Sequence, residues 1–458
     1  MATSTVRQAY RFALDPTPTQ ARALASHCGA ARHAYNWGLA LVKQRLELRA
    51  TDPKVEVPWT LATLRREWNR AKDEVAPWWA ENSKEAYSSG LDGLARALKN
   101  WAESRNGKRP GRRVGFPRFK RKHAARMACR FTTGVLRVEP DRHHVTLPRL
   151  GRIRTHESTR KLARRLETGT ARVLSATVSR QAQRWHVSFT CEVQQALMPR
   201  SAGPPVGVDL GVKHLAVLST GEVIANPRYL DAAQHRLAKA NRRLARRQGP
   251  RAADGGRRVP SVGWRAARAE LSRAHARVAN LRRDALHKLT TELATTYTTI
   301  VVEDLNVAGM VRNRRLARRV ADAGFGELRR QLGYKTTWHG SAMVVANRWY
   351  PSSKTCSGCG WVRAKLPLAE RVFHCEGCGL VLERDLNAAR NLARLVARSG
   401  RETRRNARGP DVRPGSAGQT GLKREAGTSR RLGETGTVGS QGPTARNVAL
   451  AQARRHLE

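Results

Sequence analysis

Residues 356–391 read CSGCGWVRAKLPLAERVFHCEGCGLVLERDLNAARN. Two C-x-x-C pairs, Cys356 with Cys359 and Cys375 with Cys378, are separated by fifteen residues. One such knuckle lets two thiolates grip an ion, and two at this spacing complete the four-sulfur tetrahedron that Zn²⁺ prefers. Gly358, Gly360, Gly377 and Gly379 let the chain turn around the sulfurs. A pair of disulfides or unconnected thiols would be the alternatives. The other cysteines, Cys28, Cys129 and Cys191, are scattered and no secretory segment opens the sequence, so a reducing compartment is expected. The reading is a zinc ribbon over 355–379, closed by four thiolates and therefore structural. Just beyond it, Asp385 opens the helical pattern DLNAARNLARLVA.

Upstream, TTIVVEDL (298–305) and AMVVANRW (342–349) read as buried strands, the first with Glu303 near its end. VGVDLGVKHLAVLSTGEV (206–223) reads as two apolar strands and a hairpin turn at Thr220-Gly221, with Asp209 inside the first strand. An ionised Asp209 there costs several kcal/mol unless something pairs with it. Each of the three acids alone has an ordinary structural explanation: an acid at a strand edge, one at a strand end, one at a helix N-terminus. Together in a very basic chain, Asp209, Glu303 and Asp385 suit a divalent-cation site that cuts phosphodiesters, with two ions about 4 Å apart aligning water and leaving oxygen.

The chain has 458 residues, enough for two to four domains each with its own core, and a formal net charge of +50 from 86 Lys and Arg against 36 Asp and Glu. That field implies a polyanionic partner, and nucleic acid leads because basic residues run through nearly the whole chain. No run of eighteen apolar residues spans a membrane, so a cytoplasmic, nucleoid-associated protein is expected.

Residues 6–14 alternate like a strand, 19–50 read as helix, and more helix follows to Trp101. Six of eleven tryptophans (Trp37, Trp59, Trp68, Trp78, Trp79, Trp101) fall in this block, at spacings that favour core over a base-stacking platform. The segment 106–122, NGKRPGRRVGFPRFKRK, cannot be a regular helix and reads as a phosphate-gripping strap carrying Phe116 and Phe119. Strand-like runs at 131–138, 144–147, 171–179 and 185–192 suggest a small antiparallel barrel that the opening strand joins, with the helical block inserted. A boundary falls at 201–205, a basic helical hairpin is expected over 229–295, and 399–458 reads as a disordered basic tail.

GVDLGVKHLAVLS, VVEDLNVAGM, CSGCG, CEGCG and ERDLNAARNL, with YRFALDPTPTQ, YNWGLAL, GFPRFKR and RWYPSSKTCSGCG, closely resemble the TnpB/OrfB family, transposon-encoded relatives of type V CRISPR effectors. The resemblance covers roughly residues 6–395 and rests on the ordered combination. It implies an α+β multidomain protein. An RNase H-like (RuvC) nuclease domain over 201–354 and 380–398 carries the inserted ribbon; a wedge-like β-barrel over 1–14 and 123–200 carries a helical recognition lobe over 15–122. It also implies catalytic roles for Asp209, Glu303 and Asp385 with Mg²⁺ or Mn²⁺, a guide RNA from the transposon right end, and target double-stranded DNA. Two other readings stay open at this stage: a nuclease-inactive RNA-guided DNA-binding repressor, and a transposase acting in strand transfer.

Overall fold

The structure, a computed structural model, describes residues 3–122, 124–196, 203–251, 256, 258–367 and 369–406. β1 (Thr3–Asp15) leads into α1 (Pro18–Thr51), whose start is set by a reciprocal cap: Thr17 Oγ1 accepts from Gln20 N, and Gln20 Oε1 accepts from Thr17 N. Pro18 at the first helical position fits because its missing N–H would have no intrahelical partner there. α2 (Leu61–Val75), a 3₁₀ turn (Pro77–Glu81) and α3 (Lys84–Arg105) follow. Next come β2 (Ala128–Phe131), β3 (Arg137–Val138), β4 (His144–Leu147), β5 (Gly151–Thr155), α4 (Arg160–Glu167), β6 (Ala171–Gln181) and β7 (Arg184–Ala196).

These seven strands form one antiparallel sheet in the order β2-β6-β7-β1-β5-β4-β3, with β1 paired along its length to β7. The ladder of the expected barrel stops at β2 on one edge and β3 on the other. Helices α1 to α3 lie between β1 and β2 in the chain. They do not keep a core of their own: Leu24, Leu39, Leu91 and Leu94 pack in one cluster with Phe131, Val178 and Phe189 of the sheet. The helices are apolar on the side facing β2 as well as among themselves, so helical block and sheet bury surface jointly.

The tryptophans of the helical block pack mainly on other aromatics: Trp37 meets Trp68 edge-on at 5.2 Å, and Trp59 stacks on Trp101 at 6.1 Å. The 106–122 segment has no regular structure, yet it is docked. Phe116 packs edge-on against Trp101, and Asn36 exchanges two hydrogen bonds with the Lys120 backbone, at 2.8 and 3.0 Å. Phe119 stays 49% exposed under the Lys43 ammonium.

The second half of the described chain is built on β8 (Val206–Asp209), β9 (His214–Leu218) and β10 (Val223–Ala225), with Gly221 supplying the positive φ of the β9–β10 turn. A helical hairpin of α5 (Tyr229–Ala232), α6 (Gln234–Ala245) and α7 (Val262–Thr296) follows, tied by Arg243 to Glu270 at 3.0 Å. Then come β11 (Thr299–Glu303), α8 (Val307–Met310), α9 (Ala317–Ala323), α10 (Phe325–His339) and β12 (Ala342–Ala346). The sheet order is β10-β9-β8-β11-β12: β9 and β10 run antiparallel, while β11 is parallel to both β8 and β12.

On one face, Val206, Val208, Ile300 and Val302 pack against Leu286, Leu293, Leu328 and Leu332 of α7 and α10. Each such side chain contributes about 1.5–3 kcal/mol by leaving water. The other face receives α11 (Arg384–Asn406), where Val301, Ala346 and Leu392 meet. Between β12 and α11 lies the small hairpin of β13 (Val372–His374) and β14 (Val381–Glu383). α11 continues to Asn406, so the first eight residues of the expected 399–458 tail are helical. The remainder, 407–458, lies outside the described residues.

Candidate active site and metal centre

Asp209 is the last residue of β8 and Glu303 the last of β11. The parallel register pairs Ile300 with Val206 and Val302 with Val208, so the two carboxylates finish adjacent strands level with one another. Strand alternation puts Asp209 on the face of Gly207 and Glu303 on the face of Val301, the face that α11 covers. Gly207 is what lets the helix in. A Cβ there would lie 1.9 Å from the Ala389 carbonyl oxygen and 2.6 Å from Ala393 N, so β8 and α11 touch backbone to backbone. Ala388 and Ala389, both buried, present the matching small surface. One turn earlier on α11 stands Asp385, in the first turn where the helix dipole favours a carboxylate.

The three acids feel one another. Burial raises the Asp209 carboxyl well above the usual carboxylate range, the charges of Glu303 and Asp385 push it further, and only Arg384 opposes them. Glu303 is oriented from the side by Ser352, whose hydroxyl donates to Oε1 at 2.6 Å. The next residue, Asp304, is held ionised by hydrogen bonds from Arg329 and Arg348, at 2.5 and 2.6 Å. A desolvated carboxylate crowded by two like charges is a site that a divalent cation relieves, so the donor set fits a hard metal ion.

The sulfurs are packed more tightly. Among the described residues, Cys356, Cys359, Cys375 and Cys378 are the one group of three or more His, Cys, Asp or Glu side chains whose ligand atoms all lie within 4.8 Å of one another. The carboxylates are spread more widely, and no single ion touches all three as they stand. Cys356 and Cys378 sulfurs are 3.7 Å apart, and those of Cys359 and Cys375 are 3.5 Å apart. A tetrahedron with Zn–S bonds of about 2.3 Å has edges of roughly 3.8 Å, so the cluster can hold a metal ion such as zinc. Matching turns build the knuckles: Gly360 N donates to Cys356 O and Gly379 N to Cys375 O, with both glycines at positive φ. Buried Phe373 with Trp361, Leu366 and Leu380 forms a small core beneath them.

Residues that the sequence reading passed over join the two centres. Asn387 and Asn391, 0% and 1% exposed, lie one helical turn apart on α11 just after Asp385. Asn387 accepts from Ser357 N at 2.9 Å and donates to Thr355 O at 2.7 Å; Asn391 donates to Ser352 O at 2.8 Å and to Thr355 O at 2.5 Å. The turn segment that leads into the first knuckle is thereby clamped to the helix that carries Asp385, and its Ser352 reaches Glu303. Two asparagines at i and i+4 beside an acid were the available signal, since that spacing places them on one helix face.

A strongly basic chain thus brings three interacting acids together where two parallel strands and a helix meet, with a four-cysteine cluster clamped beside them. Family models match in three stretches: "Probable transposase" of the OrfB IS605 type over 188–314, "Cas12f1-like, TNB domain" over 325–392, and an OrfB IS605 "Helix-turn-helix domain" over 1–50, a span that here holds β1 and the single helix α1. Named relatives include the "Putative RNA-guided DNA endonuclease" of Mycobacterium tuberculosis, 43% identical over 84% of this chain and 86% of that one. InsQ of Escherichia coli, given the same description, is 30% identical over 84% and 91%. A cryo-EM structure of a Cas12f1–sgRNA–target DNA complex aligns at a TM-score of 0.48 and 14% identity, over 85% of this chain and 99% of that one. The chain belongs to the OrfB/TnpB family of insertion sequences. Among the described residues no helix is long and apolar enough to cross a membrane.

Proposed function

We propose that the chain is an RNA-guided DNA endonuclease that hydrolyses target phosphodiester bonds at Asp209, Glu303 and Asp385. The observation that carries this reading is the meeting of β8, β11 and α11 at Gly207, which brings three acids from distant parts of the chain into electrostatic contact. The relatives' descriptions point the same way. Mg²⁺ or Mn²⁺ fits the oxygen donors, and zinc fits the four sulfurs. Two such hard ions about 4 Å apart would align the attacking water and the leaving oxygen.

Divalent ions held by these acids would supply Lewis acidity at the phosphoryl oxygen and make a water easier to deprotonate for attack. The chain's own residues do the positioning. Asp209 is fixed by the strand ladder, Glu303 is turned by the Ser352 hydroxyl, and Asp385 is carried on a helix that the Gly207 contact seats. The net charge of +50 holds the nucleic acids. In this reading the five-stranded sheet with α7, α10 and α11 is the RuvC-like nuclease domain, 355–379 the ribbon, the seven-stranded sheet the wedge, and α1 to α3 with the strap the recognition lobe. A guide RNA and target double-stranded DNA are its partners.

The test is cleavage of a guide-matched plasmid by the chain purified with its own RNA. Asp209→Ala, Glu303→Ala and Asp385→Ala should each abolish metal-dependent cutting while RNA still copurifies. Undiminished cutting by the Asp209 variant would end the proposal.

A further inference from the structure

Trp349 is 85% exposed, the most exposed large apolar side chain among the described residues. Its backbone is held all the same. It stands three residues beyond β12, whose last residue, Ala346, pairs with Glu303. Asn347 Oδ1 accepts from Trp349 N at 2.9 Å, and Tyr350 N donates to Asn347 O at 3.0 Å, closing a tight turn. On one side Arg348 is anchored to Asp304 at 2.6 Å; on the other, two residues past Tyr350, Ser352 is bonded to Glu303. Trp349, Arg348, Arg329, Asp304 and Asn347 line a shallow, open cleft. The cleft lies at the C-terminal ends of β11 and β12, one strand over from Glu303 and toward α10, which supplies Arg329.

A rigid indole open to solvent, with two guanidiniums held in place by one carboxylate next to the candidate acids, has the parts of a single-strand nucleotide site. The ring offers a face to any base, and the arginines offer charge to its phosphate. An apolar protein partner would meet ionised Asp304 and two arginines around a lone aromatic, a poor match. We propose that Trp349 is a stacking platform that seats one base of a single-stranded DNA segment beside the strand that carries Glu303. This rests on the nuclease reading for what happens next to the base, but not for the binding itself.

The experiment uses the full chain with its copurifying RNA in an Asp209→Ala background, and a short single-stranded DNA carrying 2-aminopurine with no match to the guide. Trp349→Ala should weaken binding by about tenfold or more and reduce the quenching of 2-aminopurine, while Trp349→Phe stays within about threefold of the parent. Equal binding by Trp349→Ala, or rescue by Trp349→Leu as complete as by Phe, overturns stacking. So does a change of oligomeric state in Trp349→Ala, which would mean that a second copy covers the indole. A parallel plasmid assay with Asp209 intact separates the two claims: no metal-dependent cutting sinks the nuclease reading alone, and unchanged oligonucleotide binding sinks the platform alone.

Discussion

Gly207→Ala should disable the site without touching any acid. The added Cβ would stand 1.9 Å from Ala389 O, and neither that carbonyl nor Ala393 N can swing aside as a flexible side chain could. Ordinary contact begins near 3.5 Å, so β8 and α11 must separate by roughly 1.5 Å. Overpacking of this kind costs about 1–3 kcal/mol of stability. The larger effect is geometric, because the helix that retreats carries Asp385, Asn387 and Asn391. A misplacement of about 1 Å near reacting atoms lowers rates about 100-fold, and that is the expected fall in single-turnover cleavage of a guide-matched plasmid. Gly326→Ala is the control: that glycine is exposed on α10 and an added methyl would meet nothing within 4 Å, so the variant should cut normally and gain about 0.5–1 kcal/mol by thermal melting. A folded Gly207→Ala protein that cuts at the parental rate would refute the claim that backbone contact between β8 and α11 seats Asp385.

The Asp209 carboxyl, raised by burial and then by Glu303 and Asp385, contributes stability below the unfolded carboxylate range and loses it as pH rises through its folded pKa. Asp209→Asn should therefore raise the melting temperature of the Mg²⁺-free protein at neutral pH, with the gain shrinking as the pH is lowered, while abolishing cleavage; an unchanged or lower melting temperature contradicts that electrostatic account. Asn391→Ala removes the bonds from α11 to Ser352 O and Thr355 O, and stripping of metal from the cysteines loosens the same segment from the knuckle side. Cleavage with Mg²⁺ restored should then fall at least about tenfold in kcat with KM little changed; full activity from chelated protein would show that the two centres are independent.

Much of this was legible one segment at a time. The knuckles could be read because a C-x-x-C turn is closed by bonds within five residues, as Gly360 N to Cys356 O is. The strands ending in Asp209 and Glu303 and the helix opening with Asp385 could be read from periodicity and terminal residues, because those patterns are local. The sequence reading missed the shared core of helical block and sheet, since an apolar helix face does not say which surface it meets.

The sequence by itself determined the paired cysteines as a candidate metal cluster, the large positive charge and the three acids as candidates, each through residue type and short-range spacing. Only the tertiary structure decided that Gly207 and Ala389 touch, that Asn387 and Asn391 clamp the ribbon's approach, and that Ser352 turns Glu303. Spacing along one element follows from the geometry of that element. How closely two elements approach depends on which small side chains happen to face each other, and neither segment records its partner.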